Sequence, residues 1–409
     1  MTSLQSETLR PNRPVSVVAT DTTVRWLAVF ALALGGFGIG TAEFVAMGLL
    51  PDIASGFGIT EPTAGHVISA YALGVVVGAP VLAAVTARVP RRALLLGLMA
   101  VFTLGNVASM FAPSYESLVA ARFIAGLPHG AYFGVAALAA AHLMGPANRA
   151  KAVAHVLSGL TIATVLGVPM ASWLGQALGW RSAFGLVVFV GMLTLAALWF
   201  WLPGQLRTMH VSSPLTELGA LRRPQVWLAV LVGMIGFGGM FAVYTYISTT
   251  MTDVAGLSRG LVPLALMVFG LGMVVGNLLG GRLADLSVVR ALYVSLGSLG
   301  ILLAVFVAAS HHTWSALLVL FGIGVAGSAV GPALQTRLMD VAHDAQTLAA
   351  ALNHSALNIG NATGAWVGGL VIAAGFGYTA PAAAGAALAA GGLLVLTLSV
   401  AVQRRGATT

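Results

Sequence analysis

The sequence predicts an all-α integral membrane protein with twelve transmembrane helices in two pseudo-symmetric six-helix bundles. Three observations carry this. Hydrophobic types make up 58% of the 409 residues and charged types 7%, whereas a soluble globular chain carries roughly 25% charged residues. Apolar stretches of about 20 residues recur along the chain, each long enough to cross ~30 Å of hydrocarbon as a helix. Short motifs from the first half return in the second at one constant offset. The mean hydropathy of +0.96 agrees.

Residues 1–25 are polar, lack the apolar core of a cleavable leader and read as a cytosolic tail. Apolar spans at 26–50, 64–87, 93–112, 116–143, 150–175 and 182–202 make a first bundle over 26–203. The longest interruption, "PGQLRTMHVSSPLTELGALRRP" (Pro203–Pro224), places a cytosolic linker over 204–225. Spans at 226–250, 261–283, 290–310, 314–338, 347–373 and 379–402 make a second bundle over 226–403, and 404–409 is a short cytosolic tail. With the N-terminus inside, sixteen of the nineteen Lys and Arg residues fall on inner segments; Arg181 and Arg259 fall outside, and Arg122 lies within a span. That asymmetry puts both termini in the cytosol of a multi-pass plasma (inner) membrane protein.

The halves look related. "GGFGIG" (Gly35–Gly40) and "GMIGFG" (Gly233–Gly238), "GLPHG" (Gly126–Gly130) and "GVAGS" (Gly324–Ser328), and "GW" (Gly179, Trp180) and "GY" (Gly377, Tyr378) stand 198 residues apart, and "SGLTI" (Ser158–Ile162) stands 197 from "SALNI" (Ser355–Ile359). Parallel six-helix repeats build transporters whose substrate site lies near the midplane between the halves. The net charge of +8 does not point to nucleic acid, because the basic residues are scattered over inner loops, some beside anionic lipid headgroups. With no cysteine, neither a disulfide framework nor a cysteine metal site is available. No nucleotide-binding loop is visible, which argues against ATP-driven transport. The interior offers no clustered metal-ligand or nucleophile constellation, so no enzyme is expected.

Among eleven acids only Glu43 lies well inside a span, and among the bases only Arg122. Ionisable residues inside a membrane are functional candidates by default. At 1.5 Å per residue, Glu43 lies ~10 Å and Arg122 ~9 Å below the outer boundary, so their depths allow an ion pair, structural or functional. Arg122, Gly126, His129 and Phe133 share one helical face, as do Gly36, Gly40, Glu43 and Met47. Both mix small, polar and bulky residues, as a cavity wall would. Histidine is the side chain that changes charge near neutral pH, so His129 is read as relay, ligand contact or hydrogen-bonded spectator. His354, Asn358 and Asn361 form a polar stripe that must face protein or water. Phe237, Phe241 and Tyr244 form an aromatic stripe, either packing or cavity wall, and Tyr71 is a similar candidate. Pro128 and Pro169 sit inside spans, where each removes a backbone donor.

These motifs resemble the drug:proton antiporter group of the major facilitator superfamily, in its twelve-helix branch, and within it an arabinose-efflux-permease-like subgroup. "GTAEFVAMGLLPDIA" (Gly40–Ala54) is similar to the subgroup's first-span signature, and "LVAARFIAGLPHGAYFG" (Leu118–Gly134) to the superfamily's fourth-span motif. "GLTIATVLGVPMASWLGQALGWR" (Gly159–Arg181) resembles the fifth-span antiporter motif, with Val168 where glycine is common, and "LNHSALNIGNATGAWVGG" (Leu352–Gly369) resembles the subgroup's eleventh span. The resemblance implies that Gly167 and Pro169 bend span 5 and help seal the cavity. The family's loop pattern G-x-L-A-D-R-x-G-R-R is degraded to "AAVTARVPRR" (Ala83–Arg92): Ala87 takes the aspartate position and Pro90 the second glycine position, while Arg88 and Arg92 remain. The second copy, "GRLAD" (Gly281–Asp285), keeps its acid. A cytoplasmic lock between the halves is therefore expected to rest on Asp285, with Gly281, Arg282 and Arg290 around it.

By resemblance, the expected function is proton-driven export of a small amphiphilic, drug- or antibiotic-like compound by alternating access. Glu43, Arg122 and His129 would couple the proton. Phe37, Met47, Tyr71, Phe133, Phe237, Phe241, Tyr244, His354, Asn358 and Asn361 would line the substrate cavity. A sugar or nucleoside efflux permease is the alternative, since the Asn and His stripe can hydrogen-bond hydroxyls, and a non-transporting membrane receptor stays open. The expected partners are a small-molecule substrate, protons and the lipid bilayer, without nucleic acid. The expected state is a monomer with no cofactor, driven by a proton gradient.

Overall fold

The structure, a computed structural model, describes residues 22–86, 89–145, 148–204, 219–343 and 345–406. Every regular element among them is helical, and twelve helices are long and apolar enough to cross a membrane. These are α1 (Thr22–Gly48), α2 (Glu61–Ala79), α3 (Arg91–Met110), α4 (Tyr115–Met144), α5 (Lys151–Leu178), α6 (Trp180–Trp201), α7 (Pro224–Tyr244), α8 (Arg259–Leu286), α9 (Val288–Ala309), α10 (Thr313–Ala342), α11 (Leu352–Ala373) and α12 (Ala380–Arg405). The expected spans appear in order, because a backbone in hydrocarbon must satisfy its own donors and acceptors. The even number puts both ends of the chain on one face. Two features were not expected. A short helix, Leu50–Phe57, follows α1 and ends at Gly58, whose φ of 65° suits glycine. Helix α10 runs to Ala342, past the predicted end at 338, and its Arg337 is buried.

The tightest helix crossings are made by glycine against backbone, and they repeat. A Cβ on Gly74 or Gly78 of α2 would strike the carbonyls of Phe123 or Leu127 in α4. A Cβ on Gly272 or Gly276 of α8 would strike those of Phe321 or Val325 in α10. All four positions in the second crossing stand 198 residues from their counterparts (272 − 74, 276 − 78, 321 − 123, 325 − 127), the offset seen in the motifs. Small residues that let backbones touch are how membrane helices pack without a hydrophobic driving force between them.

The halves meet along two further crossings. Gly270 of α8 lies against the Thr164 carbonyl of α5, and Ser69 of α2 donates to the Ala362 carbonyl of α11 at 3.3 Å. On the face opposite the termini they are also latched. Arg259 forms an ion pair with Asp52, and Thr249 donates to the Glu61 carboxylate at 2.6 Å.

Among the described residues no ion pair is formed at the lock expected on the terminus-bearing face. Arg88 lies outside the described residues. Arg92 donates to the Trp199 carbonyl at 2.5 Å and lies 5.4 Å from that indole, so it ties α3 to α6 within one half. Arg282, Asp285 and Arg290 are exposed, and the ion pair found among the described residues is Arg259–Asp52. Gly281 has open space beside it.

Two expectations follow. Gly276→Ala should lower stability by about 1–3 kcal/mol, because the clash is with backbone that cannot swing aside; Gly297→Ala, where nothing lies within 4 Å, should not. Thermal unfolding in detergent compares them. Since the chain has no cysteine, an Asp52→Cys/Arg259→Cys double variant offers a clean pair. A flexible bis-maleimide should bridge it in high yield, seen as an electrophoretic shift, and failure to bridge would contradict closure of this face.

Candidate functional site

Helix α4 carries Arg122 into the bundle, where it is fully buried. Its Nη2 donates to the Ala42 carbonyl of α1 at 2.7 Å. The guanidinium lies 4.3 Å from the centre of the Tyr71 ring of α2 and 5.5 Å from that of Phe184 in α6. One cation thus gathers four helices. Its Nε and Nη1 have no hydrogen-bond partner.

The matching depths of Arg122 and Glu43 are realised, but not as an ion pair. No nitrogen of Arg122 comes within 4 Å of the Glu43 carboxylate; the contact is to the carbonyl of the residue before it. Glu43 is 7% exposed and lies within electrostatic reach of Arg122, Tyr71 and Tyr244. A buried carboxyl therefore stands beside a guanidinium with two unused nitrogens.

From this centre a chain of polar and aromatic contacts crosses into the second half. The Tyr71 hydroxyl is 3.2 Å from His129 Nδ1. The His129 ring lies 5.4 Å from that of Phe133. Phe133 in turn stacks on His354 of α11, at 6.5 Å and 6° between planes. Asn358 Nδ2 donates to the His354 carbonyl at 3.0 Å, while the buried Oδ1 atoms of Asn358 and Asn361 have no partner. The proposed α11 stripe therefore does face protein rather than lipid.

A second, aromatic cluster lies between α1 and α7. Phe241 is 5.2 Å from Phe237, stacks on Phe44 at 6.0 Å, and lies 6.4 Å from Tyr244, which stacks on Phe269 of α8 at 3.9 Å. Phe44 and Phe269 were not singled out from the sequence, because a phenylalanine in an apolar span carries no distinguishing signal. Met47 is buried in the same core. Phe37 stands apart from it, against Gly167 of α5, where a Cβ would meet its ring at 3.0 Å. A π-helical turn, Ala163–Gly167, precedes Pro169, and another, Gly233–Phe237, holds Phe237 in α7. Such turns are frequent at functional positions.

Arg337 was read from the sequence as an inner-segment residue. The structure places it 5% exposed, donating to Gln225 of α7 at 3.3 Å, and to Ser399 and Gln403 of α12 at 3.2 Å and 2.8 Å. Polar residues four apart on α12 were the available signal. Its acceptors are neutral, so it staples the second half near the terminus-bearing face. Among the described residues no group of three or more His, Asp or Glu is placed to hold a metal ion. What the centre brings together is one carboxyl, one guanidinium, two imidazoles, the phenols of Tyr71 and Tyr244, the amides of Asn358 and Asn361, and aromatic walls.

Comparison with known proteins agrees with this architecture. The profile of the Major Facilitator Superfamily matches residues 32–344 and 242–408. The chain is 42% identical over 377 residues to the inner membrane transport protein YdhP of Escherichia coli (strain K12), covering 92% of this chain and 96% of that protein. It is 36% identical over 357 residues to AraJ of Escherichia coli (strain K12), covering 86% and 89%. It is 35% identical over 372 residues to a chloramphenicol resistance protein of Streptomyces lividans, covering 90% and 95%. With its helices, its internal repeat and nearly its whole length matched in this way, the chain belongs to the major facilitator superfamily of membrane transporters.

Proposed function

We propose that this transporter exports a small amphiphilic organic compound, drug- or antibiotic-like, in exchange for protons. It does so as a monomer in the inner membrane, with both termini in the cytosol. The observation that carries the reading is the buried Glu43 beside an Arg122 whose Nε and Nη1 are unused. Proton occupancy of a buried carboxyl depends on how close a guanidinium stands. A rearrangement that moves Arg122 onto or off Glu43 therefore changes whether the proton is held, and a rearrangement of the halves is one that alternating access requires. Arg122 bonds to α1, the helix of Glu43, and stacks on Tyr71, which reaches His129; His129 and Phe133 reach His354 across the seam. A substrate parting Phe133 from His354 would act on the same chain of contacts that positions Arg122.

The aromatic cluster of Phe44, Phe237, Phe241 and Tyr244 supplies an apolar wall, and the partnerless Oδ1 atoms of Asn358 and Asn361 supply acceptors. One acid and one base leave no strong net charge, so the walls favour an uncharged or weakly charged amphiphile. A relative named for chloramphenicol resistance, similar over nearly the full length, supports this class. Those same free amide oxygens favour a second reading, a hydroxyl-rich sugar or nucleoside.

The test uses everted membrane vesicles with a preformed inward-acidic pH gradient and a pH-sensitive dye. Adding antibiotics, sugars and nucleosides in turn should give proton release with one class, reduced to background in Glu43→Gln. Full proton-coupled export by folded Glu43→Gln would overturn the role of Glu43. Arg122→Lys keeps the charge but loses the planar fork and ring stacking, so its coupled flux should fall roughly tenfold, the scale of a lost hydrogen bond to a charged group. Flux at the wild-type level would show that charge alone suffices.

A further inference from the structure

The face opposite the termini holds a cavity of about 570 Å³ away from the central acid and base, a volume typical of small-molecule sites. Pro51, Ile59, Glu61 and Pro62 from the first half line it, together with Ile372 and Tyr378 from the second. Its surfaces are aliphatic and prolyl carbon, the hydroxyls of Ser55 and Thr60, one phenol ring and one carboxylate. Glu61 is half-buried and accepts a hydrogen bond from the Thr249 hydroxyl at 2.6 Å, and the Tyr378 phenol lies within electrostatic reach of it. Both groups are neutral.

Asp253 adds negative charge within reach of Glu61 and Tyr378. Burial first, and then the Glu61 and Asp253 carboxylates, push the Tyr378 phenol up to about 12. The arginines of this face and His66 are engaged elsewhere, while His311 and His312 are exposed on the connection before α10 and do not line the cavity. Arg259 is paired with Asp52. Arg181 donates to the Ala112 carbonyl and lies 4.2 Å from the Trp180 ring centre. His66 is hydrogen-bonded to Tyr115. The cavity thus combines apolar walls, an aromatic face and a carboxylate that no cation neutralises.

We infer that this cavity is a second ligand site, for an organic cation with an apolar body, such as a tertiary or quaternary ammonium. The ammonium would sit between the Glu61 carboxylate and the Tyr378 ring, an arrangement in which charge pairing and cation–π attraction act together. The apolar body would rest on Pro51, Ile59, Pro62 and Ile372. Because the walls belong to both halves, the site is complete only while this face is closed. An occupant therefore favours the closed state by its differential affinity and slows opening. The site lies away from the central acid and base, and its test needs no transport.

The test is equilibrium dialysis of the purified full-length protein in detergent against radiolabelled phenyltrimethylammonium, with size-exclusion profiles and circular dichroism confirming that each variant is folded. Saturable binding of one cation per chain is expected. Glu61→Gln should weaken it about tenfold or more, and Tyr378→Leu by about three- to tenfold, the range of a cation–π contact. Glu61→Asp, which keeps the charge, should retain most of the binding, and Glu43→Gln should leave it unchanged. Three results would overturn the inference: no saturable binding to folded wild-type protein, equal binding to Glu61→Gln, or loss in Glu43→Gln with retention in Glu61→Gln. The last would move the cation to the central cavity.

Discussion

The burial of the Arg122 guanidinium is the constraint around which the first half is arranged. A charge inside a membrane protein must be held by polar groups or rings from its neighbours. Here one carbonyl on α1, a phenol face on α2 and a phenyl ring on α6 share that task, so the four helices are positioned by one side chain. The arrangement is incomplete, since two nitrogens remain unused next to the buried acid. Arg337 shows the contrast. It too is buried and keeps one unpartnered nitrogen, but side-chain oxygens of Gln225, Ser399 and Gln403 accept its bonds and no carboxylate contacts it. The same residue type has its bonds accepted by side chains in one half and stands with two unpartnered nitrogens in the other.

The contacts within each half differ in part from those that join the halves. Within a half, backbone touches backbone at Gly74 and Gly78, and again at Gly272 and Gly276. Such contacts have no compliant side chain to absorb a displacement. Between halves one such crossing recurs, Gly270 on the Thr164 carbonyl, and side-chain pairs are added to it: Phe133 on His354, Phe44 on Phe241, Arg259 with Asp52, Thr249 with Glu61. Aromatic faces can part without leaving a buried donor or acceptor orphaned, and the polar pairs lie at one face where water can replace a partner.

The two faces of the seam are unlike in sequence as well as in contact. The motif that would clamp the terminus-bearing face has lost its acid in the first copy, where Ala87 stands, and keeps Asp285 in the second. The opposite face carries its own acids, Asp52 and Glu61, each already engaged across the seam. Polar groups that hold this face shut also shape the cavity beside it, so closure and the proposed cation site share Glu61.

Much of the architecture was legible in the sequence alone. Apolar runs determined the twelve helices, since hydrocarbon leaves a chain few other ways to satisfy its backbone. The repeat offset of 198, read from motifs, proved to be the offset of the glycine crossings. Glu43 and Arg122 stood out as rare charges in apolar spans, and the Arg122–Tyr71–His129–Phe133–His354 chain draws on residues chosen from helical faces. What periodicity cannot supply is the partner of each face. That Arg122 bonds to Ala42 rather than Glu43, that Arg337 is buried, that Phe44 and Phe269 complete an aromatic wall, and that Glu61 reaches Thr249 all depend on helices distant in sequence. The face that is closed was likewise undetermined, because one sequence serves every conformation of a transporter and only the packed structure selects among them.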